Sequence, residues 1–391
     1  PYGPDLASNP WFNVSAPHSD NVFEDWNHDF ALTRQMFIRV LNYWLTEYKV
    51  DGYRMDLSHG FCGPTCSNLM SNLSTYFTQG VQAASPDAYF ILEHWGSNMS
   101  SQRPQLISQG MLCWNNTNNA YCRSAMGTLS SGDAFTDANK DGYVSYCESH
   151  DEERTFYKAK VSGSGLVKTD ESARLNRIAA NTAFNVLLNG PHMIWQYQEV
   201  GYDFSIGSTV AKPNASSSGN RTEAKPRAES YGYFHAGQRM EQRNKIAAVC
   251  HLRTHLLPSV FEGDPTAVSI TSGKTLRTIE WGTGAQAVYV AANFSPSSPE
   301  QLTLPAGTWY DYLNGATAVT ASSLMLAPGD LVVLTASPLT PPAQPNAYEE
   351  FTVDIPAIPQ TGNSARKVLQ DGQLYIIHDN VWYNLQGTIV K

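Results

Sequence analysis

The sequence predicts an α/β protein, in which helices pack around a parallel β-sheet, followed by a separate all-β module. Two observations lead to this prediction. In residues 1–261, short apolar runs of strand type alternate with segments whose apolar residues recur every three or four positions. After Pro258, the helical spacing gives way to short β-type runs that are split by Gly, Pro and Asn.

Composition limits the functions that are open to the chain. Charged residues make up 16% of its 391 residues, aromatic residues make up 11%, and the formal net charge is −9. This charge argues against a nucleic-acid surface, and no run of Lys or Arg contradicts that. No apolar run reaches the roughly 18 residues of a transmembrane helix. Low charge with many Trp, Tyr, Asn and Ser suits a secreted protein that handles neutral, hydroxyl-rich ligands.

Apolar spacing places the elements of the α/β part. A helix is predicted from Asp29, and it leads directly into a short buried strand at 50–57. A second helix is predicted from Pro64 to about Ala84. Further strands are predicted at 88–95, 109–114, 143–151 and 193–196, and further helices at 171–188 and 239–255. The Gly-, Ser- and Asn-rich residues 202–236 predict a long loop, and such loops are more often functional or mobile than structural.

These patterns divide the chain into three parts, at 1–261, 262–337 and 338–391. In the middle part, strand-type runs are predicted at 268–270, 278–281, 287–292, 302–304 and 331–334. Pro and Gly are frequent in residues 338–363, which predicts a linker. The segment from Lys367 predicts two or three further strands.

Three of the predicted strands end in a carboxylate, namely Asp56, Glu93 and Asp151. If these strands are neighbours in one parallel sheet, their carboxyl ends converge on one edge. Glycoside hydrolysis needs two carboxylates that flank a bond, one to attack the sugar and one to protonate the leaving oxygen. Arg54 shares a strand face with Asp56, and His150 precedes Asp151, so both can hold substrate and favour an ionised carboxylate. The alternative is that these acids only cap loops at the strand ends.

The residues around these acids resemble three motifs of the α-amylase superfamily of glycoside hydrolases. Gly52-Tyr53-Arg54-Met55-Asp56 is similar to the Gly-aromatic-Arg-x-Asp motif of that family, and Ile91-Leu92-Glu93-His94-Trp95 is similar to its acid/base strand. Glu148-Ser149-His150-Asp151 resembles the His-Asp motif of amylase, pullulanase and branching-enzyme relatives. The resemblance covers about residues 1–337. It implies Asp56 as nucleophile, Glu93 as general acid/base and Asp151 as transition-state stabiliser, with Arg54 and His150 in contact with substrate.

For the fold, the resemblance implies a (β/α)8 TIM-barrel catalytic domain. Residues 1–261 would supply the C-terminal portion of that barrel, about strands 4–8, followed by an all-β sandwich domain at 262–337 and a small β tail. The earliest motif of the family, an Asp…Asn-His, should lie well before the nucleophile. Asp25-Trp26-Asn27-His28 is similar to it but lies too close to Asp56, and we interpret Asn27 as a helix cap. Either a missing N-terminal portion is then supplied by another chain, or the protein is inactive.

The chain departs from the family after the nucleophile. Many amylases carry Lys-His three and four positions after it, where this chain has His59 and Gly60. His59 is either a substitute sugar contact or an ordinary loop histidine. Aromatic residues near the strand ends can stack on sugar rings or serve as core packing; they are Trp95, Trp114 and Trp195.

The expected function is that of a retaining α-glucan hydrolase. It would act on starch- or glycogen-type polysaccharides or on maltooligosaccharides, through a covalent glycosyl intermediate on Asp56. One alternative is an α-glucan transglycosylase such as a branching enzyme, and another is a carbohydrate-binding fragment without turnover. The segment from Lys367 resembles the terminal modules of Gram-negative proteins exported by the type IX route. A secreted, cell-surface or periplasmic location is therefore expected.

No cofactor is expected to be required for the chemistry, although a candidate calcium loop is present. Asp137-Ala138-Asn139-Lys140-Asp141-Gly142 together with Glu148 fits the pattern D-x-N-x-D-G-x5-E. Because residues 143–147 are predicted as a strand, Glu148 is expected to belong to the sheet. A looser calcium site, made by the loop residues without Glu148, remains as an alternative.

Four of the six cysteines are spaced to close small loops in an oxidising compartment. The two candidate disulfides are Cys62–Cys66 and Cys113–Cys122. A zinc site is not expected, because no His lies near them at metal-ligand spacing.

Overall fold

The computed structural model describes the chain except residues 1–5, 21–22, 129, 131–133, 217–218, 344–365, 371–372, 379–380, 385–388 and 391. The chain divides into two compact units, Pro1–Ala347 and Tyr348–Lys391.

The first unit contains the predicted parallel sheet. Its five strands are all parallel and lie side by side in chain order. They are β1 (Gly52–Met55), β2 (Tyr89–Leu92), β3 (Leu112–Asn116), β4 (Tyr143–Tyr146) and β5 (His192–Met193). Gly52 begins β1 with a φ of +152°, and a Cβ there would lie 2.3 Å from the carbonyl oxygen of Tyr89. Glycine is therefore required where β1 meets β2.

Helices precede, connect and follow these strands. They are α1 (Ala31–Glu47), α2 (Leu69–Thr75), α3 (Met99–Ile107), α4 (Asn118–Met126), α5 (Thr155–Ser162), α6 (Leu166–Thr169), α7 (Glu171–Val186) and α8 (Gly237–His251). The predicted second helix starts later than expected, at Leu69, and continues as a π-helix over Tyr76–Gln82. Asp170 caps α7, because its side chain accepts a hydrogen bond from the backbone N–H of Ala173 at 2.8 Å. The sequence did not predict α3, α4, α5 or α6.

An all-β module follows within the same unit. Its strands are β6 (Ala267–Ser269), β7 (Leu276–Trp281), β8 (Val288–Asn293), β9 (Glu300–Thr303), β10 (Trp309–Asp311), β11 (Thr317–Val319), β12 (Ser323–Leu326) and β13 (Leu331–Thr335). A six-stranded antiparallel sheet, in the order β11-β10-β13-β8-β7-β6, accompanies a two-stranded sheet of β12 and β9. The strands β10, β11 and β12 were not predicted.

The strand β8 is buried on both faces, which explains its continuous apolar sequence. Val288 and Val290 on one face join a core that includes Phe184 of α7. Tyr289 on the other face packs in a core with Leu302 of β9. Burial on both faces gives a strand no solvent side, so alternation is lost.

The second unit contains a three-stranded antiparallel sheet, as the tail was predicted to do. Its strands are β14 (Arg366–Gln370), β15 (Gln373–His378) and β16 (Val381–Tyr383). The predicted linker at 338–363 lies mostly outside the described residues.

One of the two disulfide predictions is confirmed and the other is wrong. Cys62 and Cys66 form a disulfide, whereas Cys113 and Cys122 are both free and buried. Cys113 belongs to β3 and lies in the core beside Leu92. Cys122 belongs to α4, where its thiol donates to the side chain of Asn118. Among the described residues, no helix is long and apolar enough to cross a membrane.

Candidate active site

The carboxyl edge of the parallel sheet brings Asp56 and Glu93 together. Met55, the last residue of β1, pairs with Leu92, the last residue of β2. Asp56 and Glu93 follow these residues directly, so they lie next to each other beyond the ends of neighbouring strands. The side chain of Asp56 is 69% exposed, whereas Glu93 is buried, at 7%. One carboxylate therefore faces solvent and the other is enclosed.

Arg54 joins these two carboxylates. One terminal nitrogen of its guanidinium donates to Asp56, and the other lies 2.9 Å from Oε1 of Glu93. The second oxygen of Glu93 accepts a hydrogen bond from the backbone N–H of Leu57 at 2.9 Å. Both oxygens of this buried carboxylate are therefore paired, as burial requires. The predicted pairing of Arg54 with Asp56 is confirmed, and the ion pair with Glu93 was not foreseen.

Three aromatic rings form a row that starts beside Arg54. The guanidinium carbon of Arg54 lies 4.3 Å from the ring centre of Trp114. The Trp114 and His150 rings are 6.0 Å apart, and the His150 and Trp195 rings are 5.9 Å apart. These four side chains line a cavity of about 710 Å³, which we call the inner cavity.

Asp151 lies beyond the end of β4 and faces a different partner. Its carboxylate forms an ion pair with Arg221, which belongs to the long loop at 202–236. His150 Nε2 lies 3.4 Å from Asp151 Oδ2. The backbone N–H of Asp151 donates to Ser149 Oγ at 3.1 Å. The long loop thus reaches across to the third candidate acid.

Tyr146, the last residue of β4, is affected by several acids at this edge of the sheet. Burial raises the pKa of the Tyr146 hydroxyl, and the negative charges of Glu152, Glu93 and Asp151 raise it further. The placement of the acids follows from the sheet itself, because Asp56 comes after β1, Glu93 after β2 and Asp151 after β4, and these strands are parallel. The structure thus places the three predicted acids along one edge of the sheet.

This chain is similar to known proteins in its three-dimensional structure. No family model and no curated protein matches it. Solved structures do match. An apo pullulanase from Klebsiella pneumoniae has a TM-score of 0.58 and 16% identity, covering 81% of this chain and 46% of that chain. A pullulanase from Anoxybacillus sp. LM18-11 complexed with maltotriose has a TM-score of 0.62 and 15% identity, covering 83% and 49%. An α-amylase from Anoxybacillus has a TM-score of 0.59 and 13% identity, covering 86% and 72%.

This chain has the α-amylase fold. The resemblance to the α-amylase superfamily that the three motifs predicted is confirmed at the level of the fold. The parallel sheet fits part of a barrel, and the antiparallel sheets fit β-domains. The chain spans less than half of the length of the pullulanase structures.

Within this α-amylase fold, His59 and Trp95 are tied to their own loops. His59 Nδ1 lies 3.4 Å from Asp20 Oδ2, and its Nε2 lies 3.1 Å from the carbonyl oxygen of Ser97. A sugar hydroxyl would have to displace one of these partners. The guanidinium carbon of Arg103 lies over the ring of Trp95, 4.4 Å from the ring centre.

The interpretation of Asn27 as a helix cap is wrong. The helix α1 begins at Ala31, and Phe30 is its cap residue, without a side-chain hydrogen bond. Asn27 instead closes the preceding turn, because its side chain accepts from the backbone N–H of Asp29 at 3.1 Å. It also donates to the carbonyl of Pro10 at 3.3 Å. Asn27, four positions before the first helical residue, therefore stabilises a turn and does not cap the helix.

The loop that resembles a calcium site uses its side chains for protein contacts. Asp137 pairs with Lys140 at 2.6 Å, and Asn139 accepts from the backbone N–H of Asn189 at 2.9 Å. Glu148 is buried elsewhere, where Arg154 lies 3.2 Å from it. In the part of the chain that the structure describes, no group of three acids, His or Cys is placed to hold a metal ion.

Glu152 and Arg221 were missed by the sequence analysis. Glu152 accepts hydrogen bonds from the side chains of Ser149 and Asn116 at the ends of β4 and β3, and burial raises its pKa. In the sequence it is the second of three consecutive acids, Asp151 to Glu153, a pattern that is typical of a solvated surface. Nothing in the sequence places Arg221 near Asp151, since seventy positions separate the two residues.

A second cavity borders Arg221. It has a volume of about 390 Å³ and lies between the strand ends and the long loop. We call it the loop cavity. Its lining includes His150, Trp195, Tyr202, Ser205 and Arg221.

Proposed function

We propose that this protein is a retaining α-glucan hydrolase. The observation that carries the proposal is the guanidinium of Arg54, which holds Asp56 and Glu93 side by side at two neighbouring strand ends. Paired carboxylates at the carboxyl edge of a parallel sheet are what retaining glycosidases use. The likeness to pullulanase and α-amylase structures supports the choice of an α-glucan. We assign the five parallel strands to about strands 4–8 of the barrel.

The proposed chemistry is a double displacement. The Asp56 carboxylate attacks the anomeric carbon while the protonated Glu93 gives its proton to the leaving glycosidic oxygen. Glu93, now a carboxylate, takes a proton from water, whose oxygen then breaks the bond between the sugar and Asp56. At the end of the cycle Glu93 is protonated and Asp56 is ionised, as both were at its start.

The other site residues have supporting roles in this proposal. Arg54 holds the Asp56 carboxylate in place, because it donates a hydrogen bond to that carboxylate directly. Asp151 accepts hydrogen bonds from hydroxyls of the distorted sugar, and His150 contacts the same ring from beside it. Sugar binding requires Arg221 to leave Asp151, since the two now form an ion pair. Trp195, which borders both cavities, is placed for stacking on a sugar.

Export from the cell remains a prediction. The disulfide between Cys62 and Cys66 supports it, because disulfides persist in oxidising compartments.

The test is hydrolysis of maltooligosaccharides, followed by the release of reducing ends. Glu93→Gln keeps the shape of the side chain but removes the proton donor, so we expect at least a hundredfold loss of kcat, in the range of about 10²–10⁴ that general acid catalysis contributes. Glu241→Gln is the matched control, since Glu241 lies on α8 and its side chain is 66% exposed. A Glu93→Gln protein that retains the wild-type rate would show that the assignment is wrong.

A second measurement tests the covalent step. Glu93→Gln protein is mixed with maltosyl fluoride, whose leaving group needs no proton, and is then quenched. We expect a single maltosyl adduct on the peptide that contains Asp56, detected by mass spectrometry. Binding of maltooligosaccharides without hydrolysis by the wild type would instead indicate a carbohydrate-binding protein.

A further inference from the structure

A third cavity lies beside the loop cavity and contains none of the residues assigned to catalysis. It has a volume of about 540 Å³, and we call it the aromatic pocket. Its lining includes Tyr157, Lys160, Asp203, Phe204, Tyr231 and Tyr233. Ser205 borders both this pocket and the loop cavity, so the two spaces share a wall in the long loop. A volume of this size is typical of small-molecule sites.

The walls of the aromatic pocket are aromatic rings held by one another. The Phe204 and Tyr231 rings are 4.6 Å apart at 61°, and the Phe204 and Tyr233 rings are 6.4 Å apart and nearly parallel, at 9°. Tyr231 is nevertheless 47% exposed, whereas Tyr233 is buried. Rigid aromatic rings provide contact area at a low cost in conformational entropy. An exposed ring supported from behind is a platform for the apolar face of a ligand.

The two charged side chains of the pocket lining, Lys160 and Asp203, pair with each other, so the lining carries no net charge. Lys160 lies 2.9 Å from Asp203, and the hydroxyl of Tyr233 donates to the same carboxylate. Ser208 donates to the carbonyl of Ala215 at 3.2 Å. These groups can still exchange hydrogen bonds with hydroxyls. A charged ligand finds no unmatched charge here, and an apolar ligand would break pairs without replacing them.

The ligand that fits these features is a sugar. A pyranose ring has apolar C–H faces, which suit the aromatic walls, and hydroxyls at its edge, which suit paired polar groups. We propose that the aromatic pocket is a second, non-catalytic saccharide-binding site. The choice of a neutral α-glucan as its ligand rests on the proposed function.

The position of the pocket indicates what binding there would do. The Tyr202 ring, which lines the loop cavity, lies 5.4 Å from the Phe204 ring of the aromatic pocket. Aromatic contacts therefore connect the two cavities through the loop that also carries Arg221. A polysaccharide held in the aromatic pocket therefore packs against this loop, beside the loop cavity.

The experiment titrates Glu93→Gln protein, which cannot turn over its ligand, with maltoheptaose in a calorimeter. We expect two binding sites for each chain. Adding Tyr231→Ala should remove one of them or weaken it at least tenfold, whereas Tyr231→Phe should retain both, because the ring remains. Tyr43→Ala is the matched control, since Tyr43 is an exposed tyrosine of α1, far from the long loop in sequence. Circular dichroism confirms that each variant is folded.

The outcomes separate this proposal from the proposed function. If the aromatic pocket binds sugar but the strand-end site does not, Glu93→Gln protein shows one site, and Tyr231→Ala abolishes it. If Tyr231→Ala leaves the number of sites and both affinities unchanged, the second site is refuted whatever the enzyme does. Should Tyr231→Ala fail to fold, Lys160→Ala together with Tyr157→Ala gives a second variant of the same pocket, with the same expected loss.

Discussion

At the scale of single residues, Arg54 explains how two carboxylates can lie next to each other at the ends of neighbouring strands. Two unpaired negative charges there would repel each other, and burying Glu93 without a partner would be costly. The planar fork of a guanidinium offers two nitrogens that point to different acceptors, as a lysine ammonium cannot. Arg54 uses one nitrogen for each acid, and its guanidinium carbon lies over the Trp114 ring.

We therefore expect Arg54→Lys to impair catalysis more than stability. A single ammonium can pair with only one of the two carboxylates at a time, so kcat/KM on maltooligosaccharides should fall at least tenfold. Arg54→Met should in addition lower the free energy of unfolding by about 3 kcal/mol, since it leaves buried Glu93 without its cation. Urea unfolding and initial rates measure the two effects. The control is Arg39→Lys on the exposed face of α1, and wild-type kcat/KM in Arg54→Lys would contradict the positioning role.

At the scale of elements, His28 links three segments of the first unit. It precedes α1, stacks on Phe61 at 4.7 Å, and its Nδ1 lies 2.8 Å from the hydroxyl of Tyr76. It is 3% exposed, and burial lowers its pKa to about 4. The unfolded chain, with an ordinary histidine pKa, therefore binds a proton between about pH 6.5 and 4 that the folded chain does not.

This difference predicts acid sensitivity. Stability is fully present above about pH 6.5 and is lost as the pH falls towards 4, by up to about 3 kcal/mol from His28. In His28→Gln, whose side chain can still bond Tyr76, the decrease in Tm between pH 7 and 4 should become smaller. Part of the decrease in Tm should remain in this variant, because burial also lowers the pKa of His192, to about 3. His235→Gln, a change at an exposed histidine, serves as the control. If Tm decreases equally in His28→Gln and in the wild type between pH 7 and 4, His28 is not a source of the acid sensitivity.

The elements also differ in how far the sequence could predict them. The strands β1, β2 and β4 were predicted because apolar runs that end in an acid are distinctive, and parallel pairing then brings Asp56 and Glu93 together. The helix α3 was missed because it contains Pro104 and few apolar residues. Its place is set by tertiary contacts, such as the bond from Arg103 to the carbonyl of His94 at 2.9 Å. Arg221 was missed for a similar reason, since a loop contact over seventy positions leaves no local pattern.

At the scale of the whole first unit, one core crosses the predicted boundary between 261 and 262. Phe184 of α7 packs with Trp281 of β7 and with Phe294 in a single cluster. Trp281 Nε1 donates to the carbonyl of Leu187 at 2.7 Å. Arg177 of α7 is fully buried, and it donates to the carbonyl of Phe294 at 2.6 Å. The parallel sheet and the all-β module are therefore joined by packing and by buried hydrogen bonds.

This joint core predicts that residues 1–347 unfold together. Trp281→Ala removes a large buried ring and leaves the carbonyl of Leu187 without its donor, so we expect a loss of about 3–5 kcal/mol in the free energy of unfolding. Denaturation is followed by far-UV circular dichroism and by hydrogen exchange of amides in β2 and in β13. In Trp281→Ala, protection against hydrogen exchange should fall by the same factor in both strands. Met325→Ala changes an exposed residue of the same module and should leave this protection unchanged. Lost protection in β13 with unchanged protection in β2 would show instead that the two parts unfold independently and that the boundary at 261 is a true domain boundary.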